Sequence, residues 1–333
     1  MNIDAGRLAG LARTKLESLV RSEFPEVTAD AQSFNAGVGL IDGDRAFVYL
    51  IDETPSPMAA VLAWGRRNGA NDMNVVVDEV DPVLVLQATG LDPAPTLWRV
   101  EGGRMTSVAP TSPAITDRAP PEEALEQVSV LRDSGLDVVI EHGVVIGEVL
   151  GLEVARVVVD SEGRASVRVG VGLYDQEAHE LLHADSPIEE RLARVSDEVR
   201  RHRHREAGPH PLNRVARERW LRTIVMGDPE LVGLKTMAPL EPIAARGGIH
   251  QEVPAAGVGV RHDGSSAIVV CSTGIDLDLV PVASAHLSRD GVSHDVGDLV
   301  LVLPERDRHP IIEQMAEHLR VRATITSVDD PWP

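Results

Sequence analysis

The sequence predicts an α/β protein in which two diverged copies of one α/β unit flank a β-rich α+β middle domain. Three observations carry that expectation. The first and last thirds share one order of elements (helix, β-hairpin, helix, strand, helix, strand), with local matches along the way. The stretch between them is rich in β-branched runs broken by glycine turns. Of the 333 residues, 43% are apolar but only 3% are aromatic, so cores sized for more than one domain must be filled by Val, Leu, Ile and Ala.

The first copy opens on a helical pattern, Leu8, Leu11, Leu16, Leu19 and Val20, and the second on Leu212, Val215, Trp220, Leu221 and Ile224. Glu17-Ser-Leu-Val-Arg21 followed by Pro25-Glu-Val27 matches Glu218-Arg-Trp-Leu-Arg222 followed by Pro229-Glu-Leu231. Ala36-Gly-Val-Gly-Leu40 and Ala256-Gly-Val-Gly-Val260 come next. Each runs into Asp-Gly, at Asp42-Gly43 and Asp263-Gly264, a hairpin signal because both residues tolerate positive φ. The return strands are Ala46–Ile51 and Ala267–Cys271. A helix then ends at Arg67-Asn-Gly69 or at Arg289-Asp-Gly291, where Gly suits a C-cap. Strands at Asn74–Val77 and Leu299–Leu303 precede a short helix and a last strand, near Thr96–Trp98 and Thr324–Thr326.

Residues 106–120, rich in Pro, Ser, Thr and Ala, read as a linker. A helix over Pro121–Ser134 leads into strands at Leu136–Glu141, Val144–Val149, Leu152–Asp160 and Ala165–Leu173. A helical region over Gln176–Arg205 ends in a charged run, and Gly208-Pro-His-Pro211 breaks the chain. The expected organisation is therefore 1–105 first repeat, 106–120 linker, 121–207 middle domain and 208–333 second repeat.

The formal net charge of −20 is spread over all three segments, each with more acid than base. Duplex binding draws on phosphate neutralisation, so an acidic protein without a basic segment disfavours nucleic acid as a partner. The lone cysteine, Cys271, leaves no disulfide framework within the chain, which suits a reducing, cytoplasmic compartment. No apolar run approaches the roughly 20 residues that span a bilayer, so no membrane partner is expected.

In its order of elements the repeat unit resembles the restriction-endonuclease-like, or PD-(D/E)XK, fold. The resemblance implies an acid at the hairpin, an acid on the next strand and a lysine two residues later, together holding Mg²⁺ and orienting the attacking water. Asp42 takes the first place and Asp52 or Glu53 the second. Neither Lys15 nor Lys235 fills the third, and in the second copy Cys271-Ser-Thr273 stands where the acid belongs. On this resemblance the copies look degenerate. Asp42 and Asp263 are also complete as turn residues.

One motif is sharp. His179-Glu-Leu-Leu-His183 places two imidazoles four residues apart, where on a helix they can share Zn²⁺ while Glu180 serves as general base, as in zincin metallopeptidases. Glu177, Asp185 and Pro187 depart from that family's pattern, and an amphipathic surface helix explains the same residues. Glu148 and Glu153, with Glu141, lie in or beside middle strands, where they could converge on a divalent cation or simply be solvated. His202, His204 and His210 read either as a metal clip or as a solvated helix end. The Gly-Val-Gly segments at Gly37, Gly170 and Gly257 lack a third glycine and a following helix, so they read as strand glycines rather than a dinucleotide fingerprint.

The expected function is a non-catalytic intracellular assembly or accessory protein built as a pseudo-symmetric pair, with a protein partner or self-association. The alternatives are a metal-dependent phosphodiesterase using Asp42, Asp52 and Glu53, and a zinc hydrolase using His179, Glu180 and His183.

Overall fold

Three β-sheets form, one from each segment that the sequence distinguishes, and helices separate many of their strands, which places the chain in the α/β class. The computed structural model describes residues 2–51, 57–109, 118–172, 175–176, 186–245, 247–289 and 296–333. No described helix is long and apolar enough to cross a membrane.

The first sheet is built from β1 (Gln32–Phe34), β2 (Gly37–Asp42), β3 (Arg45–Leu50), β4 (Asp72–Val77), β5 (Thr96–Glu101) and β6 (Arg104–Ser107), hydrogen-bonded in chain order. Pairing is parallel from β3 to β4 to β5, where α2 (Pro57–Arg67) and α3 (Pro82–Thr89) make the crossovers, and antiparallel at both edges. α1 (Asn2–Glu23) buries Leu16, Leu19 and Val20 against Val38, Leu40, Phe47, Tyr49 and Val76. Those strand residues alternate, so one face of β2 and β3 serves α1 and the other faces α2. Gly39 belongs to that second face: a Cβ there would lie 2.4 Å from the Trp64 ring of α2.

The middle sheet is an antiparallel meander, β7 (Asp137–Glu141), β8 (Val144–Val149), β9 (Leu152–Val159) and β10 (Ala165–Val169). Two-residue turns link its first three strands. His142-Gly143 and Leu150-Gly151 all have positive φ, the conformation that matches strand twist. The helix expected over 121–134 forms as two pieces, α4 (Glu122–Leu125) and α5 (Val128–Asp133). Of the helical region expected over 176–205, α6 (Ile188–His202) covers the described C-terminal part. Its Leu192, Val195 and Val199 recur every three or four residues and pack on the sheet with Leu131, Val154 and Val157.

The third sheet, β11 (Thr236–Pro239), β12 (Ala255–Val260), β13 (Ser266–Cys271), β14 (Val296–Leu303) and β15 (Ala323–Ser327), again runs in chain order. Trp220, Leu221 and Val225 of α7 (Arg217–Gly227) pack on Ala267, Val269, Cys271, Val300 and Val302, as α1 does on the first sheet. The leading helical pattern is shorter than expected, because Ala216 takes a left-handed φ of 47° and separates α7 from the 3₁₀ turn at Pro211–Asn213. α8 (Leu279–Ser288) and α9 (Pro310–Ala316) follow β13 and β14.

The glycine match between the copies needs correction. Gly39 faces α2, whereas a Cβ on Gly259 would meet Leu234, which belongs to the core beneath α7. The Gly-Val-Gly segments sit on corresponding strands but one residue out of phase. A one-residue slip turns a side chain to the other face, so this match is not structural equivalence.

Two compact units divide the chain. One comprises residues 1–115, 275–296 and 309–323, the other 116–274, 297–308 and 324–333. The sequence expectation kept 208–333 together, but α8 and α9 belong to the unit of the first sheet. In that unit α8 packs on α3, where Ser284 Oγ donates to the Gln87 carbonyl at 2.5 Å.

A short pairing in the same unit joins two segments of similar sequence. Asp81–Trp98 lies over His309–Thr326 without a gap, matching Pro82 with Pro310, Ala88 with Ala316, Leu91 with Leu319 and Thr96 with Thr324. Both helices so aligned start on that proline, behind Asp81 or His309, whose side chains accept from the backbone N–H two residues on. Leu91 and Leu319 then form an antiparallel bridge. The Asp92 N–H donates to the His318 carbonyl at 2.7 Å and the Arg320 N–H to the Gly90 carbonyl at 2.9 Å. In the gapless alignment Asp92 corresponds to Arg320 and Gly90 to His318, so the two bonds exchange when the segments are exchanged.

His286 on α8 is fully buried, and neither ring nitrogen has a hydrogen-bond partner among the described residues. Burial therefore pushes its pKa down to about 4 from 6.5. The unfolded chain binds this proton more readily than the folded one between those values, so the group's contribution is intact above pH 6.5 and is lost as pH falls towards 4. Over that window His286 alone is expected to remove about 3 kcal/mol of stability. Urea titrations at pH 7 and pH 4 check this: His286→Leu should be markedly less acid-sensitive than the native chain, and equal sensitivity would contradict the assignment.

Candidate functional site

The residues expected to act in the first copy are not all in view. Asp52 and Glu53 lie outside the described residues. Asp42 closes the β2–β3 hairpin opposite Arg45, whose Nη2 donates to it at 2.6 Å. That ion pair is the turn-residue reading of Asp42.

Sequence reasoning missed a charged set at the far end of β3 from Asp42. Lys15 of α1 reaches across to the carboxyl ends of the parallel strands β3 and β4. Its Nζ donates to Tyr49 Oη at 2.8 Å and to both Asp78 oxygens at 2.6 and 2.9 Å, while Tyr49 Oη donates to Asp78 at 2.5 Å. Partial burial works to lower the Lys15 pKa, but hydrogen bonds with Asp78 and Tyr49 outweigh it and leave it raised. Burial likewise opposes ionisation of Asp78, yet Lys15 and Tyr49 hold its carboxyl below the usual range. Burial, then Asp78, raises the Tyr49 phenol. At neutral pH the set is an ammonium, a carboxylate and a neutral phenol. Lys15 is thereby bonded to Tyr49, three residues before Asp52 in the chain, although no sequence spacing announced it. Beside the third sheet α7 instead sends Glu218 to Thr273, whose Oγ1 donates at 2.7 Å, so the set is not repeated there.

The acids of the middle domain have other partners. Glu148 is buried between Arg219, which donates through Nη1, and Arg222, whose Nη2 donates at 3.1 Å. Arg219 Nη2 also donates to Glu141. Both arginines come from α7, one turn apart on its buried face. Glu153 is cross-strand partner to Glu148 but is held by Arg156 at 2.8 and 3.0 Å. Guanidinium groups therefore occupy the places where Glu148 and Glu153 were expected to hold a cation. Nearby, burial raises the Asp137 pKa and the Glu148 charge raises it further. Arg203 donates to the carbonyls of Leu212, Val215 and Ala216 and lies over the Trp220 ring at 4.3 Å. Burial lowers its pKa to about 9, which still leaves it charged at neutral pH.

Two adjoining clefts open on this part of the molecule, and Val171, Asp175, Ile249 and His250 line both. One, of ≈ 590 Å³, is edged by Glu141, His142, Glu153 and Arg156. The other, of ≈ 760 Å³, is edged by Arg194, Asp197, Glu198, Arg201 and His210 and has an apolar floor that includes Val195 and Leu212. Both have the size of small-molecule sites.

His179, Glu180 and His183 lie outside the described residues. Of the three clip histidines, His202 and His210 come together with their rings stacked at 3.7 Å between centroids, 9° from parallel. His204 points elsewhere, to the Arg201 carbonyl at 3.1 Å. The third member of the cluster is Glu198, one helical turn before His202, which the sequence offered, with Glu189 and Glu190, only as a third ligand for His179 and His183. The i,i+4 spacing on a helix with an apolar stripe was the available signal.

Compared with protein-family models, with curated proteins and with solved structures, the chain shows no match.

Proposed function

We propose that this chain is a non-catalytic assembly or accessory protein, built as a pseudo-symmetric pair of copies of one α/β unit. The observation that carries the reading is the Leu91–Leu319 bridge. On a twofold axis an antiparallel contact joins a residue to its own counterpart, as between identical subunits, and these two leucines are counterparts in the gapless alignment. The shared chain-order topology of the first and third sheets supports the same view. So does the loss of the Lys15–Tyr49–Asp78 set in the second copy. For interaction with a protein partner or with a second copy, α1 offers Leu8 and Leu11, one turn apart and 53% and 63% exposed. The acidic charge disfavours nucleic acid.

The test is an incubation of the full chain with plasmid DNA, single-stranded DNA and RNA in the presence of Mg²⁺ or Mn²⁺. No cleavage is expected. A second reading, a metal-dependent phosphodiesterase, is favoured by the position of Lys15, Tyr49 and Asp78 at strand carboxyl ends, where open α/β sheets place their ligands. Cleavage that disappears in both Lys15→Ala and Asp78→Ala would replace the first reading with this one.

A further inference from the structure

Among the described residues one cluster combines the donors of a transition-metal site: Glu198 and His202 on α6, and His210 on the segment leading to α7. We propose that these three side chains bind a single ion of the zinc class, with its remaining coordination facing the 760 Å³ cleft that Glu198 and His210 line. The inference goes beyond the assembly reading and does not depend on it.

Three features support it. Residues four apart on a helix share a face, so the Glu198 carboxylate and the His202 ring converge without strain, with Oε1 2.9 Å from Nε2. One donor atom from each of the three residues lies within 4.8 Å of the others. Two ligands on one tetrahedral zinc, each about 2.0–2.2 Å from it, sit roughly 3.4 Å apart, so side-chain rotations complete the set. The cation takes the place of the Glu198–His202 hydrogen bond. Finally, Arg201 holds the second Glu198 oxygen at 2.5 Å and so orients the carboxylate from behind.

The stacked rings identify which ligand moves. An imidazole binds a metal in its own plane, so two parallel rings 3.7 Å apart cannot both aim at one ion. His202 is fixed on the helix. Beyond the stacking, His210 is held among the described residues by the Leu212 N–H at a long 3.4 Å to Nδ1, and it is the ring that turns. Two imidazoles and one carboxylate suit Zn²⁺, Co²⁺ or Ni²⁺ and do not suit Mg²⁺ or Ca²⁺, which take all-oxygen sets. Three protein ligands leave a position for water or for a small ligand entering from the cleft.

The test uses the full chain stripped of metal and titrated with Zn²⁺ against a chromophoric chelator, with bound metal counted by elemental analysis. One zinc per chain is expected, undisturbed by millimolar Mg²⁺ or Ca²⁺. His202→Ala and His210→Ala should each weaken it by at least about tenfold, while His204→Ala leaves it unchanged. Circular dichroism of each variant confirms folding, and His210→Gln provides a milder replacement. The proposal is overturned if the native chain binds no zinc, or if His210→Ala and His210→Gln both retain full affinity. It is equally overturned if zinc is lost only in His179→Ala or His183→Ala, which would place the ion in the His-Glu-Leu-Leu-His segment.

Discussion

Arg219→Ala is expected to destabilise the unit that contains the middle sheet by about 3–5 kcal/mol, the usual cost of removing one partner from a buried ion pair. Arg219 is buried and divides its guanidinium between Glu141 and Glu148, which come from adjacent strands of that sheet. Without it, Glu148 keeps Arg222, but two buried acids are left with less countercharge in a region where burial already raises Asp137. Arg219→Lys should recover little, because a single ammonium cannot span two carboxylates as the guanidinium fork does. A concerted change of Glu141, Glu148, Arg219 and Arg222 to apolar residues of similar size should recover much of the loss, since such replacements are often neutral. Urea midpoints of the three variants check the series. A loss below about 1 kcal/mol for Arg219→Ala would mean that the network is solvated and does not hold α7 to the sheet.

The second large effect is expected at Gly90. A Cβ there would lie 2.2 Å from the Ser284 carbonyl oxygen and 2.8 Å from its carbon, both backbone atoms of α8 that cannot rotate away. Gly90→Val must therefore push α3 and α8 apart, breaking the Ser284–Gln87 hydrogen bond and displacing the adjoining Leu91–Leu319 bridge. Overpacking of this kind costs about 1–3 kcal/mol, and the lost contacts place Gly90→Val at the upper end. Gly6→Ala is the control. It lies in α1 with nothing within 4 Å, and should be neutral or stabilise by up to about 1 kcal/mol. Equal stability of the two variants would show that α3 and α8 do not meet as closely as described.

Local chemistry made much of the fold legible. Asp42-Gly43 announced its hairpin, the Leu16, Leu19 and Val20 spacing announced the buried face of α1, and the Val-rich runs announced β4, β8, β9 and β14. The short edge strands β1, β6 and β11 escaped, because three or four residues with one neighbour carry almost no periodic signal. The matched Gly-Val-Gly segments misled in phase, because a two-residue period repeats its letters without fixing which face they serve. The site residues were harder still. Lys15 meets Asp78 across 63 positions and Arg219 meets Glu148 across 71. No spacing rule reaches that far. What joins those pairs is the docking of a helix on a sheet, decided by apolar residues that say nothing of the charges they carry with them. The Glu198–His202 pair was within reach, being one turn apart, but its third partner comes from beyond the helix end.

The proposed twofold relation can be tested by a cross-link at the Leu91–Leu319 bridge. Leu91 and Leu319 sit opposite each other in a non-hydrogen-bonded antiparallel pair, flanked by the two exchanged bonds, where Cα atoms lie about 4.5 Å apart and a disulfide fits without strain. The native Cys271 is fully buried, with its thiol pushed up to about 12, and will not compete. Leu91→Cys with Leu319→Cys should therefore close an intramolecular disulfide under mild oxidation, seen as a loss of two protons in the intact mass and a faster band on a non-reducing gel. A chain that stays reduced, or one that links only to a second chain, would contradict the pseudo-symmetric pairing on which this account rests.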